Sequence, residues 1–436
     1  MIASKLDPQT AIIIHTSIRG RSRVIDDDSA LSEAIGLSLA LGLNVSDAKV
    51  IRLKKIIPAT FIGGGAILSL QETIQKQSAG LLIFDGELTP VQQRNLEEKL
   101  QTKVLDRTGL ILEIFSLRAR TKEGRLQVEL ARIAYERSRL VRTWTHLERQ
   151  RGGKGFLAGP GERQIESDRR ELSDKAVVLR KQLEKVRRTR GLHRKSRQKK
   201  NCPVIALVGY TNAGKSTLFN LLTDANVYVE DMLFATLDPT IRTIKLNSQF
   251  SAVLSDTVGF ISNLPTELIA AFRATLEEVT EADLVLHVRD IASKDTEEQS
   301  RDVKSIMSMM QEQSGKMPPV IEVWNKVDLL DKEARTFVTA KIIKQKESAI
   351  LISSETGDGV DILKQKLCDL LQKDHRQFKL IVPNAESQVL GWFQKNGRII
   401  SCDPSDTGDL SCVVKLDDLA YGQFCNAFPE LAATAE

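Results

Sequence analysis

Short apolar runs alternate with amphipathic stretches through the first 110 residues. "AIIIHTS", "AKVIRL", "GLLIFDG" and "KVLDRTGLILEIF" read as strands, while "SALSEAIGLSLALGL", "AILSLQETIQKQ" and "TPVQQRNLEEKLQ" read as helices. A βαβ succession of this kind predicts a small parallel sheet covered by helices. Gly63-Gly64-Gly65, just before the second helix, reads as a tight connection, because no further part of a phosphate-binding fingerprint accompanies it.

From about residue 121 the period changes. Apolar residues fall at Leu126, Leu130, Ile133, Leu140, Trp144 and Leu147, and after a break at Ile165, Leu172, Ala176, Leu179, Leu183 and Val186. Steps of three, four or seven predict two long helices with one apolar stripe each. The intervening "RGGKGFLAGPGERQ" cannot continue a helix, so an antiparallel hairpin with a Gly-rich basic tip is expected, each arm about 27 residues and about 40 Å long. The second arm runs into "KQLEKVRRTRGLHRKSRQKK", which reads as its exposed end passing into a flexible linker. Beyond position 200 a buried strand-loop-helix pattern opens a second α/β region, and the final 60 residues suggest a strand, a helix and a hairpin. The expected fold class is therefore α/β with a mostly parallel central sheet. Its expected divisions are an N-terminal α/β domain (1–115), a helical hairpin linker (116–200), a nucleotide-binding domain (201–374) and a small C-terminal α+β domain (375–436).

Charge sharpens one part of this picture. The chain carries a net +5, yet residues 111–200 hold 26 Lys and Arg against 11 Asp and Glu, a surplus of 15 that leaves the remainder at −10. A basic middle between acidic flanks points to a polyanionic partner, with a solvated helical face as the plainer alternative. Phosphate neutralisation needs only charge and reach, so nucleic acid is indicated as a class. No run approaches the roughly 20 apolar residues of a membrane span and the start lacks a leader pattern, so a cytoplasmic location is expected. Cys202, Cys368, Cys402, Cys412 and Cys425 have no metal-ligand spacing and read as reduced structural thiols; His287, inside "LVLHVRD", reads as a strand residue.

The chemistry lies in three strings. "PVIALVGYTNAGKSTLFNLL" runs from a strand through Gly209-Tyr210-Thr211-Asn212-Ala213-Gly214-Lys215-Ser216-Thr217 into a helix. Phosphates need converging backbone N–H groups, which a glycine-permissive loop and a helix N-terminus supply; Lys215 would reach the β and γ oxygens and Ser216 would bind Mg2+. "SAVLSDTVG" puts Asp256 at a strand end as a second magnesium group, followed by Thr257, Val258 and Gly259, whose N–H would face the γ-phosphate. "PPVIEVWNKVD" ends a strand in Asn325, Lys326, Val327 and Asp328, where one carboxylate matches the paired N1–H and N2–H₂ donors of guanine. Softer signals are Ser353-Ser354 for the guanine carbonyl and "LFATLDPT", where Thr236 rather than Thr240 is the threonine chosen to complete magnesium coordination. GTP/GDP with Mg2+ are the cofactors these strings call for, with Lys215, Thr236 and Gly259 as the catalytic set. Phe260 stands where Ras has a water-orienting glutamine, so intrinsic hydrolysis should be slow.

Together "GYTNAGKSTLFN", "LFATLDPT", "DTVGFI" and "NKVD", with "IFDGELTPVQQRNLEEKL", "RARTKEGRLQVELA" and "GPGERQIESDRREL" outside that domain, resemble the HflX-type GTPases. The resemblance covers residues from about 80 to 360. It implies nucleotide contacts at 209–217, at Phe234, Ala235, Thr236, Leu237 and Asp238, at 256–259, at 325–328 and at Ser353, Ser354 and Glu355, with magnesium on Ser216, Thr236 and Asp256. It further implies a monomer that associates with the large (50S) ribosomal subunit and its rRNA through the hairpin tip and splits whole ribosomes under stress. Arg163 and Ser354 depart from the family's usual Thr and Ala. Asn212 stands where potassium-activated GTPases carry an asparagine, which adds K+ to the candidate cofactors. The alternatives are an assembly or RNA-modification GTPase, and an RNA-binding adaptor whose nucleotide only stabilises the fold.

Overall fold

The computed structural model describes residues 9–18, 26–148, 160–198, 202–223, 232–234, 236–237, 239–247, 250–262, 278–345, 349–371, 376–383, 388–404, 409–416 and 418–433. By its contacts the chain divides into two compact units, residues 1–195, 204–244 and 253–360, and residues 196–203, 245–252 and 361–436.

The first unit opens with β1 (Thr10–Ile18), α1 (Asp27–Ala40), β2 (Asn44–Leu53), α2 (Gly64–Gln77), β3 (Leu81–Asp85), α3 (Pro90–Leu100), β4 (Lys103–Asp106) and α4 (Arg107–Arg118). The strands form a parallel sheet in the order β2-β1-β3-β4. β1 is apolar on both faces because both are covered: Ala11 and Ile13 share a core with α1 and α4, whereas Ile12 and Ile14 pack with residues of α2 and α3. Thr89 caps α3 in a capping box with Gln92.

One boundary differs from the sequence reading. "KVLDRTGLILEIF" is no single strand, for the chain turns at Asp106, whose carboxylate caps α4 by accepting from the Gly109 N–H at 2.9 Å. Arg107 to Leu112, Ile114 and Phe115 are all buried, so the first turns of α4 are covered on every side and their apolar run mimics a buried strand.

α5 (Lys122–Glu148) and α6 (Pro160–Gln198) follow. Leu126, Ile133, Ala176, Leu179 and Leu183 form one apolar cluster joined by Leu130, Leu172 and Val186, the seam expected of a hairpin. Tyr135 and Arg139 fasten α5 to the N-terminal sheet by donating to Asp106, at 2.6 and 2.5 Å. α6 corrects the flexible-linker reading, since it stays helical through the basic run to Gln198. Arg, Lys and Gln are strong helix formers, and one interior glycine, Gly191, costs only about 1 kcal/mol. Most of the Gly-rich tip, 149–159, lies outside the described residues.

The second sheet has the order β10-β9-β8-β5-β7-β6, built from β5 (Val204–Gly209), β6 (Thr240–Lys245), β7 (Ser251–Asp256), β8 (Leu284–Asp290), β9 (Val320–Asn325) and β10 (Ile350–Leu351). The β5–β7, β5–β8, β8–β9 and β9–β10 pairings are parallel. α7 (Lys215–Thr223) follows the β5 turn, and α8 (Thr296–Ser314) and α9 (Lys332–Gln345) follow β8 and β9. His287 is buried in β8, and burial lowers its pKa to about 4, so it stays a neutral strand residue.

In the second unit β11 (Arg376–Val382), β13 (Leu410–Leu416) and β12 (Arg398–Pro404) form an antiparallel sheet in that order. Phe378, Phe393 and Phe424 centre its core. The strand, helix and hairpin of the sequence reading are present, with helices at 418–427 and 429–433 besides. The reduced-thiol reading is corrected here. Cys402 and Cys412 stand opposite each other in the β12–β13 register and are joined in a disulfide, while Cys202, Cys368 and Cys425 remain thiols. Their pairing follows from hairpin register, which sequence spacing does not announce. Among the described residues no helix is long and apolar enough to cross a membrane.

Candidate functional site

Parallel strands of the second sheet deliver the three strings to one edge. Leu207 of β5 pairs with Asp256 at the end of β7, Gly209 with Val288 of β8, and Asp290 with Asn325 at the end of β9. Loops leaving the carboxyl ends of such a sheet surround the crevice where ligands bind. A cleft of about 530 Å³ opens there, with Asn212, Lys215, Ser216, Phe234, Thr236, Gly259, Asn325, Asp328, Ser354 and Glu355 among its lining.

Glycine is required in two turns of this cleft. A Cβ on Gly214 (φ +87°) would lie 2.2 Å from Asn325 Nδ2, and one on Gly259 would lie 2.9 Å from Thr211 Cγ2 and 3.0 Å from Lys215 Nζ. Asn325 is held on both sides. Its Nδ2 donates to Ala213 O (2.9 Å), and its Oδ1 accepts from the Ser354 N–H and hydroxyl, both at 2.9 Å. Lys326, in the left-handed region at φ 65°, sends its ammonium to Asp290 (2.8 Å), and Asp328 presents an exposed carboxylate to the cleft.

Lys215 is buried and donates to Tyr210 O at 2.7 Å. Burial, only partly offset by Asp256, lowers its pKa to about 8. Asp256 is raised by burial against the opposing pull of Lys215, Ser216 and Thr236. Its Oδ2 accepts from Ser216 Oγ (2.8 Å) and Thr236 Oγ1 (3.0 Å), and those two hydroxyls lie 3.0 Å apart. Oδ1 of Asp256 and the Thr211 hydroxyl are buried and have no hydrogen-bond partner among the described residues. Three hard oxygen groups converging with an orphaned carboxylate oxygen suit Mg2+, which prefers such donors.

Other site residues of the sequence reading divide by where their side chains go. Ala213, Val258 and Val327 are buried apolar groups that can offer only backbone. Phe234 lines the cleft at φ 56° while its ring packs edge-on against Phe115 at 4.7 Å between centroids, and Leu237 is buried nearby. Ala235 and Asp238 lie outside the described residues. Tyr210 turns its phenol away from the cleft, hydrogen-bonding Glu33 of α1 and the Ser262 N–H. Phe260 is buried and bridged to the phosphate loop, donating to Gly209 O (3.0 Å) and accepting from the Thr211 N–H (2.7 Å). Met232 and Leu329 also line the cleft, and no sequence signal marks either.

Comparison with known proteins agrees with this geometry. Residues 28–116 match the GTP-binding GTPase N-terminal family, residues 118–197 the GTP-binding GTPase middle region, and residues 204–326 a family described as 50S ribosome-binding GTPase. The chain is 47% identical to the GTPase HflX of Magnetococcus marinus over 370 residues, covering 85% of this chain and 84% of that one. The chain belongs to the HflX GTPase family. It is also 42% identical to the GTPase HflX of Escherichia coli over 375 residues, 86% of each chain. Among solved structures it is similar to a GTP-binding protein of Sulfolobus solfataricus in complex with GDP, at 24% identity and a TM-score of 0.46 over 84% of this chain and 99% of that one. Like other HflX-family members the protein is a GTPase, and its nucleotide-binding sheet is of the P-loop class.

Proposed function

We propose that the protein is a GTP-driven switch that associates with the large ribosomal subunit through its basic middle and dissociates ribosomes. The observation that carries this reading is the convergence of Lys215, Asp256 and Asp328 around one cleft in a chain whose residues 111–200 are strongly basic. Support for the partner comes from the description of the family matched by residues 204–326. A ribosomal partner makes the cytoplasm the working location. The working divisions remain residues 1–115, 116–200, 201–374 and 375–436.

In this reading the N–H groups of 209–217 cradle the phosphates, Lys215 neutralises charge on the β and γ oxygens, and Gly259 offers its N–H to the γ-phosphate. Ser216, Thr236 and Asp256 hold Mg2+, which when bound neutralises phosphate charge that builds during transfer. Asp328 accepts from guanine and Ser354 offers its N–H to the base carbonyl. Ser353 and Glu355 flank that contact. Binding of GTP restores a counter-charge to Lys215, whose ammonium in this structure has a carbonyl for its hydrogen-bond partner.

Phe260 brings no hydrogen-bonding group to water, so turnover is slow until ribosome docking reorders the segment after Gly259. Sedimentation of intact ribosomes with GTP, GDP and a non-hydrolysable analogue tests the whole reading. Dissociation with GTP or its analogue supports it; selective large-subunit binding without dissociation favours an assembly role, and nucleotide-indifferent binding favours an adaptor. Hydrolysis unchanged by purified large subunits would overturn the docking step. Asn212, held at φ 60° at the mouth of the cleft, is the position at which K+ would join the phosphates, and turnover in K+ exceeding that in Na+ checks this.

A further inference from the structure

The N-terminal sheet has a switch point of its own. In the order β2-β1-β3-β4 the connections reverse direction between β1 and β3, and a parallel sheet places its ligand crevice at the carboxyl ends of strands that part in this way. His15 ends the β1–β3 register opposite Asp85, and their side chains meet at 2.6 Å. Arg107 lies beside them, donating from Nη1 to Asp85 Oδ1 at 2.6 Å and from Nη2 to Glu33. Ser262, from the segment that follows β7 of the nucleotide-binding sheet, joins this cluster.

Every polar group of Ser262 is engaged there. Its carbonyl accepts from Arg107 Nη2 (3.0 Å), its hydroxyl donates to Glu33 Oε1 (3.0 Å) and lies 3.2 Å from Arg107 Nη2, and its N–H donates to the Tyr210 hydroxyl at 2.8 Å. Tyr210 in turn donates to the second oxygen of Glu33. Ser262 stands three residues after Gly259, and Tyr210 directly follows Gly209. Between them Phe260 is bonded to Gly209 O and to the Thr211 N–H, so no slack separates the cluster from the turn that faces the phosphates. Phe234, from the segment that carries Thr236, packs on Phe115 of α4 in the same core.

We propose that Glu33 and Arg107 are positioning residues for the nucleotide site, acting through Tyr210 and Ser262, so that seating of the N-terminal sheet is linked to discrimination of GTP from GDP. The inference rests on the reading of Gly259 as the group that meets the γ-phosphate. GTP draws on Gly259 and GDP does not, so the two nucleotides bear differently on Ser262. By linkage, whatever holds Ser262 must bear differently on the two nucleotides. Removing a member of a buried ionic network leaves its partners uncompensated, which makes the coupling strong enough to measure.

The experiment is calorimetric titration of the full chain with GDP and with a non-hydrolysable GTP analogue, for the wild type, Ser262→Ala, Glu33→Gln and the double variant. Each single variant should change the ratio of analogue to GDP affinity about 5- to 50-fold, a range typical of coupled sites. The double variant should change it by less than the product of the two, since both act through one cluster. Ser262→Thr, which keeps the hydroxyl, should restore the ratio to within about threefold of the wild type. A ratio unchanged in all variants overturns the proposal, as does equal loss of affinity for both nucleotides, which marks a merely structural role. Failure of the wild type to bind GDP would instead sink the guanine-nucleotide reading itself.

Discussion

Two parallel sheets in this molecule end in two very different edges. At the carboxyl edge of β5, β7 and β9 lies an open cleft of about 530 Å³ whose polar groups are left wanting: an exposed Asp328, a Lys215 ammonium on a carbonyl, an orphaned Asp256 oxygen. At the carboxyl edge of β1 and β3 the charges are as numerous, but Arg107, Asp85, Glu33 and Ser262 are hydrogen-bonded to one another; Arg107, Asp85 and Ser262 are buried, Glu33 is half-buried at the wall of a second cleft, and Arg107 Nε has no partner among the described residues. The contrast teaches that charged residues at a strand end do not by themselves mark a ligand site. What distinguishes the first edge is that its charged groups face a cleft, whereas those of the second face chiefly one another.

The contrast can be broken most severely at the closed edge. Arg107→Met leaves two carboxylates, Asp85 and Glu33, without their shared cation, and should lower stability by about 3–5 kcal/mol in denaturant titrations. A smaller loss would mean the cluster is less sealed than its geometry suggests. At the open edge the same kind of change should work in reverse on stability. Lys215→Met should lower turnover of GTP about 10²- to 10³-fold while raising the melting temperature of the nucleotide-free chain, because it removes a buried charge that burial disfavours.

The Lys215 effect has a pH signature. In the nucleotide-free protein its pKa is lowered to about 8, against roughly 10.4 in an unfolded chain. Between those values the unfolded state binds more protons, so this residue's contribution makes stability rise with pH across that window and adds no slope below it. The rise should vanish in Lys215→Met and shrink when GDP is bound. The mildest test concerns the base. Asp328→Asn should reduce GDP affinity about 10- to 100-fold, the size expected for charge-assisted hydrogen bonds, and shift preference toward xanthine nucleotides, whose C2 oxygen can accept from an amide. Retained preference for guanine would remove Asp328 from the site.

How far the sequence carries a reader differs between these same edges. The open one was legible, because Gly214-Lys215-Ser216, Asp256 and Asn325 to Asp328 are local strings whose spacing reports the loop each must form. The closed one was invisible. Glu33, Asp85, Arg107 and Ser262 are scattered singly over 230 positions, and only tertiary contact makes them a group. Strand and helix order in the first 100 residues was readable from hydrophobic period, but α4 was lost to it, since its first two turns are buried on every side and set no period. The continuation of α6 through Gly191, and the pairing of Cys402 with Cys412, escaped for a related reason. A glycine or a spacing seen alone cannot report how strongly its neighbours overrule it.

Asn325 carries a last implication. Clasped by Ala213 on one side and Ser354 on the other, with no room for even a methyl group on Gly214, it buttons the loop proposed to hold the phosphates to the loops proposed to hold the base. The two halves of the pocket are thus a single preset frame. A nucleotide entering it has little left to arrange, and a side chain added at 214 would weaken the grip on base and phosphate together.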